Sequence, residues 1–354
     1  MTVRIGMNGF GRVGRAFLRT AHERGLDLEI AAINSLADGV TLGRLLRRDS
    51  VFGLFAPEVK ATSDELLVDG VPIRLFAEKD PVSLPWGDLG IDLVVEMTGK
   101  FTAREKAALH LAAGAPRVIV AAPSKGSDAT FVIGVNEDTF DARRHVVVSN
   151  GLCTTNCLVP MIKVLDDAFG VEHGLLSTIH AYTADQVLVD GPHKDARRGR
   201  AAALNIIPTS SGAARATGLV LESMEGRLDG LALRVPVPDG SLTDFVALLR
   251  RDITVAEVNE AFRAAATTGR LAPVLDYVDE PLVSSDVIGS AASCLFDSQL
   301  TKASGPLVKV FGWYDNEWGY SNRLAELALL VGTAAARAGS PCTTNTLHRT
   351  RREV

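Results

Sequence analysis

The chain has 354 residues, of which 47% are hydrophobic and 22% are charged. This length predicts two domains, since single domains usually have about 100–200 residues, and the composition excludes a disordered or fibrous protein. The net charge of -5 argues against a protein built to coat nucleic acid or an acidic membrane surface.

No apolar run reaches the roughly 18–20 residues needed to cross a bilayer, and glycines stand near the start, where a signal peptide has its apolar stretch. We therefore expect a cytoplasmic protein with no membrane partner. The four cysteines, Cys153, Cys157, Cys294 and Cys342, form no C-x-x-C pair and have no histidines at metal-finger spacing. Neither a metal site nor a disulfide framework is expected, whereas a single reactive thiol remains open.

In the first half of the chain, strand-like apolar segments alternate with helical stretches, as in a parallel sheet covered by helices. Each strand-like segment ends in small or polar residues, where such a sheet presents its ligand-binding edge. The segments are VRIGMNG, LEIAAIN, IDLVVEMTG and RVIVAAP. The sequence therefore predicts an α/β fold with this edge as the candidate binding site.

The first of these strands is followed by G-x-G-x-x-G, formed by Gly9, Gly11 and Gly14, which opens a helical stretch. Gly9 permits a tight turn, Gly11 lets the backbone approach a pyrophosphate and Gly14 permits close helix packing. The helix then directs its N-terminal amides at the phosphates. An ordinary glycine turn is the alternative, but this placement favours a Rossmann-type dinucleotide-binding domain over residues 1–151, with NAD or NADP as the cofactor.

The second strand ends in Asn34 and Ser35, where a dinucleotide site normally presents an acidic residue to the ribose 2′-hydroxyl. Serine can bind that hydroxyl without repelling a 2′-phosphate. Lys79 could supply a cation if its loop comes near, whereas Asp38 would oppose an added phosphate. Our hypothesis is that NADP is accepted at least comparably to NAD, and the preference stays open.

The pattern changes near residue 150. The segment SNGLCTTNCLVPMIKVLDDAFG predicts a turn and a helix, and GLLSTIHAYT predicts the next strand. About 25 residues from Tyr182 to Asn205 show no clear period, and so long a loop is usually functional or mobile. Later strands are predicted at GLALRVPVP, TDFVALLRR and PLVKVFGWYD, with a capped helix in TVAEVNEAFRAAAT. These elements predict an α+β second domain with a mixed sheet over residues 152–316.

After Trp318 the segment SNRLAELALLVGTAAARAG is helical in pattern. We expect its residues 317–333 to pack back on the first domain and complete it. Residues 334–354 have little apolar surface to bury, which predicts a flexible tail.

Cys153 is the candidate nucleophile. Ser149 and Asn150 are helix-capping residue types, which predicts Cys153 in the first turn of a helix, where the helix dipole lowers the pKa of a thiol. Pro160 predicts that this helix either kinks or becomes regular only later. A cysteine at a helix start is commonly inert packing, and Cys157 is interpreted as a buried small hydrophobe.

His180 changes the interpretation of Cys153. It follows an apolar run and precedes polar residues, which predicts the exposed end of a strand, where a histidine alone is as often structural as functional. Together with Cys153 it forms the thiol and general-base pair of nucleophilic catalysis. Arg234 lies inside an apolar strand and needs a partner such as phosphate, whereas a solvated surface is the default interpretation for the loop cations Lys194, Arg197, Arg198 and Arg200.

Several motifs in one order and spacing over residues 1–333 resemble the phosphorylating glyceraldehyde-3-phosphate dehydrogenases of the common bacterial and eukaryotic type. They are NGFGRVGR, SNGLCTTNC, HAYTADQ, HKDARRGRAAALNIIPTSSGAA, LALRVPVP and WYDNEWGYSNR. The resemblance implies that glyceraldehyde 3-phosphate is oxidised with phosphate and NAD(P) to 1,3-bisphosphoglycerate through a cysteine thioester. It also implies a glycolytic homotetramer in which the aperiodic loop lines a neighbouring subunit's cofactor site.

By position, Cys153 resembles the family's nucleophile and His180 the base that activates it. Thr183 and Arg234 match the site of the substrate phosphate, and Asn316 matches the residue that holds the nicotinamide amide. The resemblance implies further groups around the attacking phosphate and the cofactor. They are Leu152, Thr154, Arg198, Ser211 and Gly212 for the phosphate, and Arg12, Val13, Thr98 and Ala121 for the cofactor.

The chain departs from the family pattern around this pocket. Gly151 and Leu152 replace Ala and Ser of the usual SNASC, Ser35 replaces the acidic ribose ligand, and Ala121 replaces a serine. Losing one neutral hydrogen bond at Leu152 costs about 0.5–1.5 kcal/mol, which predicts weaker use of phosphate without loss of catalysis. The changes suggest a specialised isoform, and one hypothesis is tolerance of an electrophilic inhibitor that Leu152 crowds.

Two other functions are weighed. An erythrose-4-phosphate dehydrogenase shares fold and nucleophile, but its motif after the histidine lacks the HAYT-type sequence. A non-catalytic NAD(P)-sensing protein has no need to retain Cys153, His180 and Arg234 together. No nucleic-acid partner is expected, because the phosphate sites already account for the loop arginines.

Overall fold

The structure is a computed structural model that describes residues 2–339, with side chains described as far as residue 334. Two large sheets follow one another along the chain, and a final helix returns to the first. No helix in the described range combines the length and apolarity that a membrane span requires.

The first sheet has nine strands, and a separate two-stranded hairpin lies beside it. The strands of this half are β1 (Val3–Asn8), β2 (Leu28–Asn34), β3 (Arg48–Asp49), β4 (Gly53–Leu54), β5 (Val59–Ala61), β6 (Glu65–Val68), β7 (Val71–Phe76), β8 (Leu93–Glu96), β9 (Val118–Val120), β10 (Ala129–Thr130) and β11 (Val147–Ser149). The helices are α1 (Arg12–Glu23), α2 (Gly39–Arg47), α3 (Arg104–Ala107) and α4 (Leu109–Ala112). The four strands predicted from apolar segments are confirmed as β1, β2, β8 and β9.

The strand order of this sheet is β10-β11-β9-β8-β1-β2-β7-β6-β5. β1 pairs in parallel with β2 on one side and with β8 on the other, whereas β5, β6 and β7 are joined by antiparallel pairings. The chain direction across the sheet therefore reverses at β1. In open α/β sheets ligands bind outside the carboxyl ends of the strands at such a reversal, and Gly9 follows β1 at that edge.

The second sheet has eight strands in the order β13-β14-β12-β15-β19-β17-β16, with β18 paired to β19. Its strands are β12 (Val171–Ala181), β13 (Ile207–Ser210), β14 (Leu228–Val235), β15 (Ser241–Leu249), β16 (Leu275–Val278), β17 (Cys294–Asp297), β18 (Lys302–Ser304) and β19 (Leu307–Tyr314). β12 pairs in parallel with β14 and antiparallel with β15. The predicted mixed sheet is confirmed, and no strand or α-helix interrupts residues 182–205, where the sequence shows no period.

Three helices belong to this half, α5 (Cys153–Phe169), α6 (Ala213–Val220) and α7 (Val255–Thr267). α5 contributes fully buried side chains to the second core, among them Cys157, Leu158 and Ile162. α7 begins with the predicted cap, because Thr254 and Glu257 exchange hydrogen bonds in a capping box.

The last helix, α8 (Trp318–Gly339), packs on the first sheet. Tyr320, Leu324 and Leu327 share a core cluster with Phe17 of α1 and with β1. The helix continues past residue 333, where the sequence predicts a tail, and residues 340–354 of that predicted tail lie outside the described residues.

Candidate active site

The glycine turn after β1 forms one end of the site. Gly9 has φ +103°, and a Cβ there would lie 2.8 Å from the backbone of Met97 and Thr98. A Cβ on Gly14 would lie 2.7 Å from the carbonyl oxygen of Gly9, so both positions require glycine. Gly11 faces open space and is the N-cap of α1, with no side chain to accept from the first amides. The turn therefore fits a dinucleotide pyrophosphate, which the free amides of the helix start would hold.

Arg12 and Val13 begin α1. The guanidinium of Arg12 forms ion pairs with Asp49 and Glu317, and its Nε is 2.9 Å from Glu317 Oε2. Val13 packs against the first core. The charge of Arg12 is thus compensated by carboxylates, and its backbone amide at the start of α1 is the group that could bind a phosphate.

The end of β2 is tied to the loop that carries Lys79. Asn34 Nδ2 donates to the carbonyl oxygen of Glu78 at 2.9 Å, and Glu78 N donates to Asn34 Oδ1 at 2.8 Å. This contact ties the residue before the exposed Lys79 to the residue before Ser35. Asp38 caps α2, and its hydrogen bonds with Thr41 lower the pKa of its carboxyl, so an anion also lies nearby.

A buried polar network that the sequence analysis missed lies at the same sheet edge. Glu96 ends β8 and accepts from Asn8 Nδ2 at 2.5 Å and from Thr98 N at 2.7 Å. His110 Nδ1 accepts from Trp86 Nε1 at 3.1 Å, so Nε2 carries the proton and donates to Glu96 at 3.1 Å. A glutamate inside the apolar segment IDLVVEMTG is the sequence signal that could have revealed it.

Thr98 and Ala121 lie where the sequence analysis places them, directly after β8 and β9 at this edge. Ala121 N donates to the carbonyl oxygen of Glu96 at 2.9 Å. Asn8 Oδ1 accepts from Asn34 Nδ2 at 2.7 Å, which extends the Glu96 network to the end of β2. The candidate cofactor residues of three neighbouring strands are therefore held by one hydrogen-bonded network.

The candidate nucleophile and the candidate base meet at the other end of the site. Cys153 is the first residue of α5, and its Sγ is 3.3 Å from His180 Nε2 near the end of β12. The predicted caps are wrong, because Leu152 is the N-cap, whereas Ser149 ends β11 and donates to the carbonyl oxygen of Ala122 at 2.7 Å. Pro160 lies inside a helix that begins at Cys153, so a late start of the regular helix is also wrong.

His180 lies at a strand end, but the prediction that this end is exposed is wrong. Only 4% of the residue is exposed, because β12 is flanked by β14 and β15 and the ring of Tyr314 packs edge-on against the imidazole. His180 Nδ1 is 2.7 Å from the carbonyl oxygen of Ala181 and 2.7 Å from Nη1 of Arg234. The proton on Nδ1 therefore determines whether Nε2 accepts from Cys153 or donates to it.

The pKa values of this pair differ from the sequence prediction. Burial raises the pKa of the Cys153 thiol to about 11, against the opposing charge of Arg234. Burial, together with the same charge, lowers the pKa of His180 to about 3. The prediction of a lowered thiol pKa is wrong in direction, because desolvation by burial outweighs the opposing charge of Arg234 and the backbone hydrogen bond at the helix start.

Arg234 lies directly opposite His180 in the pairing of β14 with β12. It donates to the carbonyl oxygen of Ala181 at 3.0 Å and forms no ion pair within the described range. Burial lowers its pKa. A half-buried guanidinium without a carboxylate, next to a thiol and a base, is suited to hold an anionic substrate group.

The structure brings together some of the residues that are predicted to bind phosphate. Leu152 Cδ1 lies 3.6 Å from a Cβ built on Gly212, so the end of β11 and the start of α6 meet beside Cys153. Ser211 Oγ accepts from Ala213 N at 3.2 Å. Arg198 forms an ion pair with Asp185 and donates from Nε to Thr209 Oγ1 at 2.8 Å.

The two threonines predicted to bind phosphate, Thr183 and Thr154, have different surroundings. Thr183 follows β12 and accepts at its carbonyl oxygen from Gln186 N. Thr154 Oγ1 instead lies 2.8 Å from the hydroxyl of buried Tyr314, which also contacts Thr178. The hydroxyl of Thr154 therefore faces the core rather than a phosphate, because it lies one helix position past Cys153. The sequence analysis did not single out Tyr314.

Asn316 lies between β19 and α8. Its Oδ1 accepts from Ser241 Oγ at 2.5 Å, and 7% of the residue is exposed. Across the described range, no group of three or more His, Cys, Asp or Glu side chains is arranged to hold a metal ion.

Comparison with known proteins agrees with this geometry. Residues 3–104 match the family model described as glyceraldehyde 3-phosphate dehydrogenase, NAD binding domain, and residues 152–316 match the model of its C-terminal domain. Glyceraldehyde-3-phosphate dehydrogenase 2 of Streptomyces arenae is 56% identical over 334 residues, covering 94% of this chain and 100% of that protein. The enzyme of Mycobacterium avium is 53% identical over 94% of this chain and 99% of its own. The chain belongs to the glyceraldehyde-3-phosphate dehydrogenase family.

Proposed function

We propose that this chain is a phosphorylating glyceraldehyde-3-phosphate dehydrogenase, which oxidises glyceraldehyde 3-phosphate with phosphate and NAD(P) to 1,3-bisphosphoglycerate. The observation that carries the proposal is the contact of Cys153 Sγ with His180 Nε2 at 3.3 Å, next to Arg234. Two relatives named glyceraldehyde-3-phosphate dehydrogenase match this chain over nearly their whole length, and this match supports the proposal.

The first step follows from the contact between the Cys153 thiol and the His180 imidazole. When Nδ1 of His180 donates to the carbonyl oxygen of Ala181, Nε2 has a free lone pair 3.3 Å from the sulfur. The thiol proton then moves towards Nε2 as the sulfur attacks the aldehyde carbon, and it is returned to the new oxygen to give a hemithioacetal. The charge of Arg234 stabilises the sulfur anion as it forms.

The later steps use the same groups. His180 accepts the hemithioacetal hydroxyl proton as the carbon is oxidised to the thioester, and NAD(P), when bound, supplies the hydride acceptor. An oxygen of inorganic phosphate then attacks the thioester carbon, so that a C–O bond forms and the C–S bond breaks. Because burial lowers the pKa of His180, its imidazolium readily returns a proton to Cys153.

Two anion sites are proposed around this pair. Arg234 and Thr183 hold the phosphate of the substrate, whereas Ser211, Gly212 and Arg198 surround the attacking phosphate. Leu152 supplies no hydroxyl there, and Asp185 partly neutralises Arg198. We therefore expect a higher KM for phosphate than a serine at position 152 would give.

Cofactor preference is the second part of the proposal. No carboxylate stands at Ser35, and the contacts of Asn34 with Glu78 hold the Lys79 loop beside it. These features support acceptance of NADP at least comparable to that of NAD. Asp38 remains the group that opposes a 2′-phosphate.

We further propose a cytoplasmic homotetramer that binds neither nucleic acid nor membrane. Residues 1–151 and the helix over 317–333 form the cofactor domain, and residues 152–316 the catalytic domain. The segment 188–206 exposes Leu188 (80%), Val189 (72%), Leu204 (83%) and Ile206 (67%). Apolar side chains this exposed in one segment support a contact with a second copy of the chain.

A steady-state assay of aldehyde oxidation tests the proposal, with NAD and NADP each measured with and without phosphate. We expect phosphate-dependent turnover with either cofactor, and none from Cys153→Ala, which should still bind cofactor. A kcat/KM more than a hundredfold higher for NAD contradicts the cofactor proposal, and a higher kcat/KM for erythrose 4-phosphate supports the related dehydrogenase instead. A purely cofactor-sensing protein would show no turnover and no substrate-protected alkylation of Cys153.

A further inference from the structure

Ser241 connects the base and the candidate nicotinamide residue. It is the first residue of β15 and is fully buried. Its Oγ accepts from Ala181 N at 3.1 Å and donates to Asn316 Oδ1 at 2.5 Å. Ala181 follows His180 directly, so a single hydroxyl contacts the strand end of the base and the side chain of Asn316.

The direction of both hydrogen bonds is fixed by the donors available. A backbone N–H can only donate, so Ser241 Oγ accepts from Ala181. The single hydroxyl hydrogen is then free for Asn316, whose oxygen must face Ser241. Asn316 Nδ2 therefore points away from Ser241, and it makes no hydrogen bond within the described residues.

The backbone at Asn316 is held separately. Asp315 Oδ1 accepts from Glu317 N at 2.8 Å and from Trp318 N at 2.6 Å, which caps the start of α8. The main chain of Asn316 thus depends on Asp315, and the orientation of its amide depends on Ser241.

We propose that Ser241 is a positioning residue that orients the Asn316 amide with its two N–H donors towards the cofactor. This inference rests on the proposed function. A nicotinamide carboxamide has both an acceptor oxygen and a donor nitrogen, and an amide free to rotate would pair with either one. An amide fixed by Ser241 offers donors only and therefore selects the carbonyl oxygen of the carboxamide.

Calorimetric titration of Ser241→Ala with NAD and with ADP-ribose, which lacks nicotinamide, tests the proposal without measuring activity. We expect the Kd of NAD to rise about 2- to 12-fold, the range that corresponds to about 0.5–1.5 kcal/mol for one hydrogen bond. The Kd of ADP-ribose should not change. Thr243→Val is the matched control, because Thr243 is also fully buried on β15 but its hydroxyl has no hydrogen-bond partner among the residues that the structure describes.

A second comparison tests whether Ser241 acts through Asn316. In an Asn316→Ala background, Ser241→Ala should produce no further change in the Kd of NAD. If Ser241→Ala does not fold, Ser241→Cys keeps the shape with a weaker donor and should still weaken NAD binding selectively.

The outcomes separate the two proposals. An equal loss of affinity for NAD and ADP-ribose, an unchanged affinity for both, or a full additional loss in the Asn316→Ala background would overturn the role of Ser241. A wild-type protein that binds neither ligand would contradict the proposed function itself.

Discussion

At the scale of single residues, Leu152 has the clearest consequence for the chemistry. It is the N-cap of the helix that carries the nucleophile, and its side chain lies against Gly212. An N-cap hydroxyl would accept a helix amide or contact an incoming phosphate, whereas leucine does neither. Leu152 therefore places a bulky apolar side chain beside Cys153 instead of a polar one.

Leu152→Ser should lower the KM for phosphate by about 2- to 12-fold, because one hydrogen bond is worth about 0.5–1.5 kcal/mol. The same variant should be inactivated faster by an epoxide or another alkylating agent, since less bulk crowds the electrophile. Steady-state kinetics and the rate of covalent modification measure the two effects. Equal inactivation rates in both proteins would remove the hypothesis of inhibitor tolerance.

The residue types and the resemblance together singled out Cys153 and His180 as candidates, but not their environment. The contact between them joins α5 to β12, and the pKa of each is dominated by burial that only tertiary packing creates. Tyr314 was missed for the same reason. Its partners Thr154 and Thr178 lie far away in the chain, so no local spacing reveals it.

At the scale of elements, the site is formed where the start of α5 meets the adjoining ends of β12 and β14. Long periodic segments such as these were predicted from the sequence, as were β15, β19 and α7. β3, β4, β16 and β18, each of two to four residues, were not predicted. A segment of so few residues is too short to show an alternating pattern of apolar and polar side chains. Its conformation is decided by pairing with the neighbouring strands.

The pairing of β12 with β14 gives a prediction for pH dependence. The cation of Arg234 favours the Cys153 thiolate, so Arg234→Gln should raise the thiol pKa further. Since a charge within about 4–6 Å shifts a pKa by roughly 1–3 units, alkylation by iodoacetamide should slow about tenfold or more at a fixed pH between 7 and 9.

Arg234→Lys is the control for this measurement, because it keeps the charge while changing the geometry, and it should slow alkylation less. In the wild-type protein the rate should increase with pH across the whole range, as the thiol pKa of about 11 lies above it. An Arg234→Gln rate equal to or above that of the wild type would show that the charge does not act on the sulfur.

At the scale of the whole molecule, the exposed apolar segment predicts assembly. Leu204→Asp combined with Ile206→Asp should dissociate the proposed tetramer, because two carboxylates would lose hydration in the contact. Analytical ultracentrifugation measures the change. Leu36→Asp is the control, since Leu36 is 56% exposed and lies in the first half of the chain. A wild-type monomer, or a double variant of unchanged mass, would contradict the assembly.

The return of α8 to the first sheet predicts that stability depends on the end of the chain. Leu324 is fully buried in the core cluster that contains β1 and α1. Leu324→Ala should lower the free energy of unfolding by about 2–5 kcal/mol through the cavity it leaves. Denaturant titration measures this free energy for the wild type, for Leu324→Ala and for the control Leu36→Ala, whose side chain is exposed. An equal loss of stability in the two variants would argue against the assigned packing.

The same return of α8 has a consequence for biosynthesis. The apolar surface that β1 and α1 present to Leu324 and Leu327 is synthesised long before those two residues, which cover it in the folded protein. The core of the first sheet is therefore complete only after α8 has been synthesised. A chaperone that shields nascent apolar surface would be needed for most of that interval, and a prematurely terminated product would be a substrate for proteolysis.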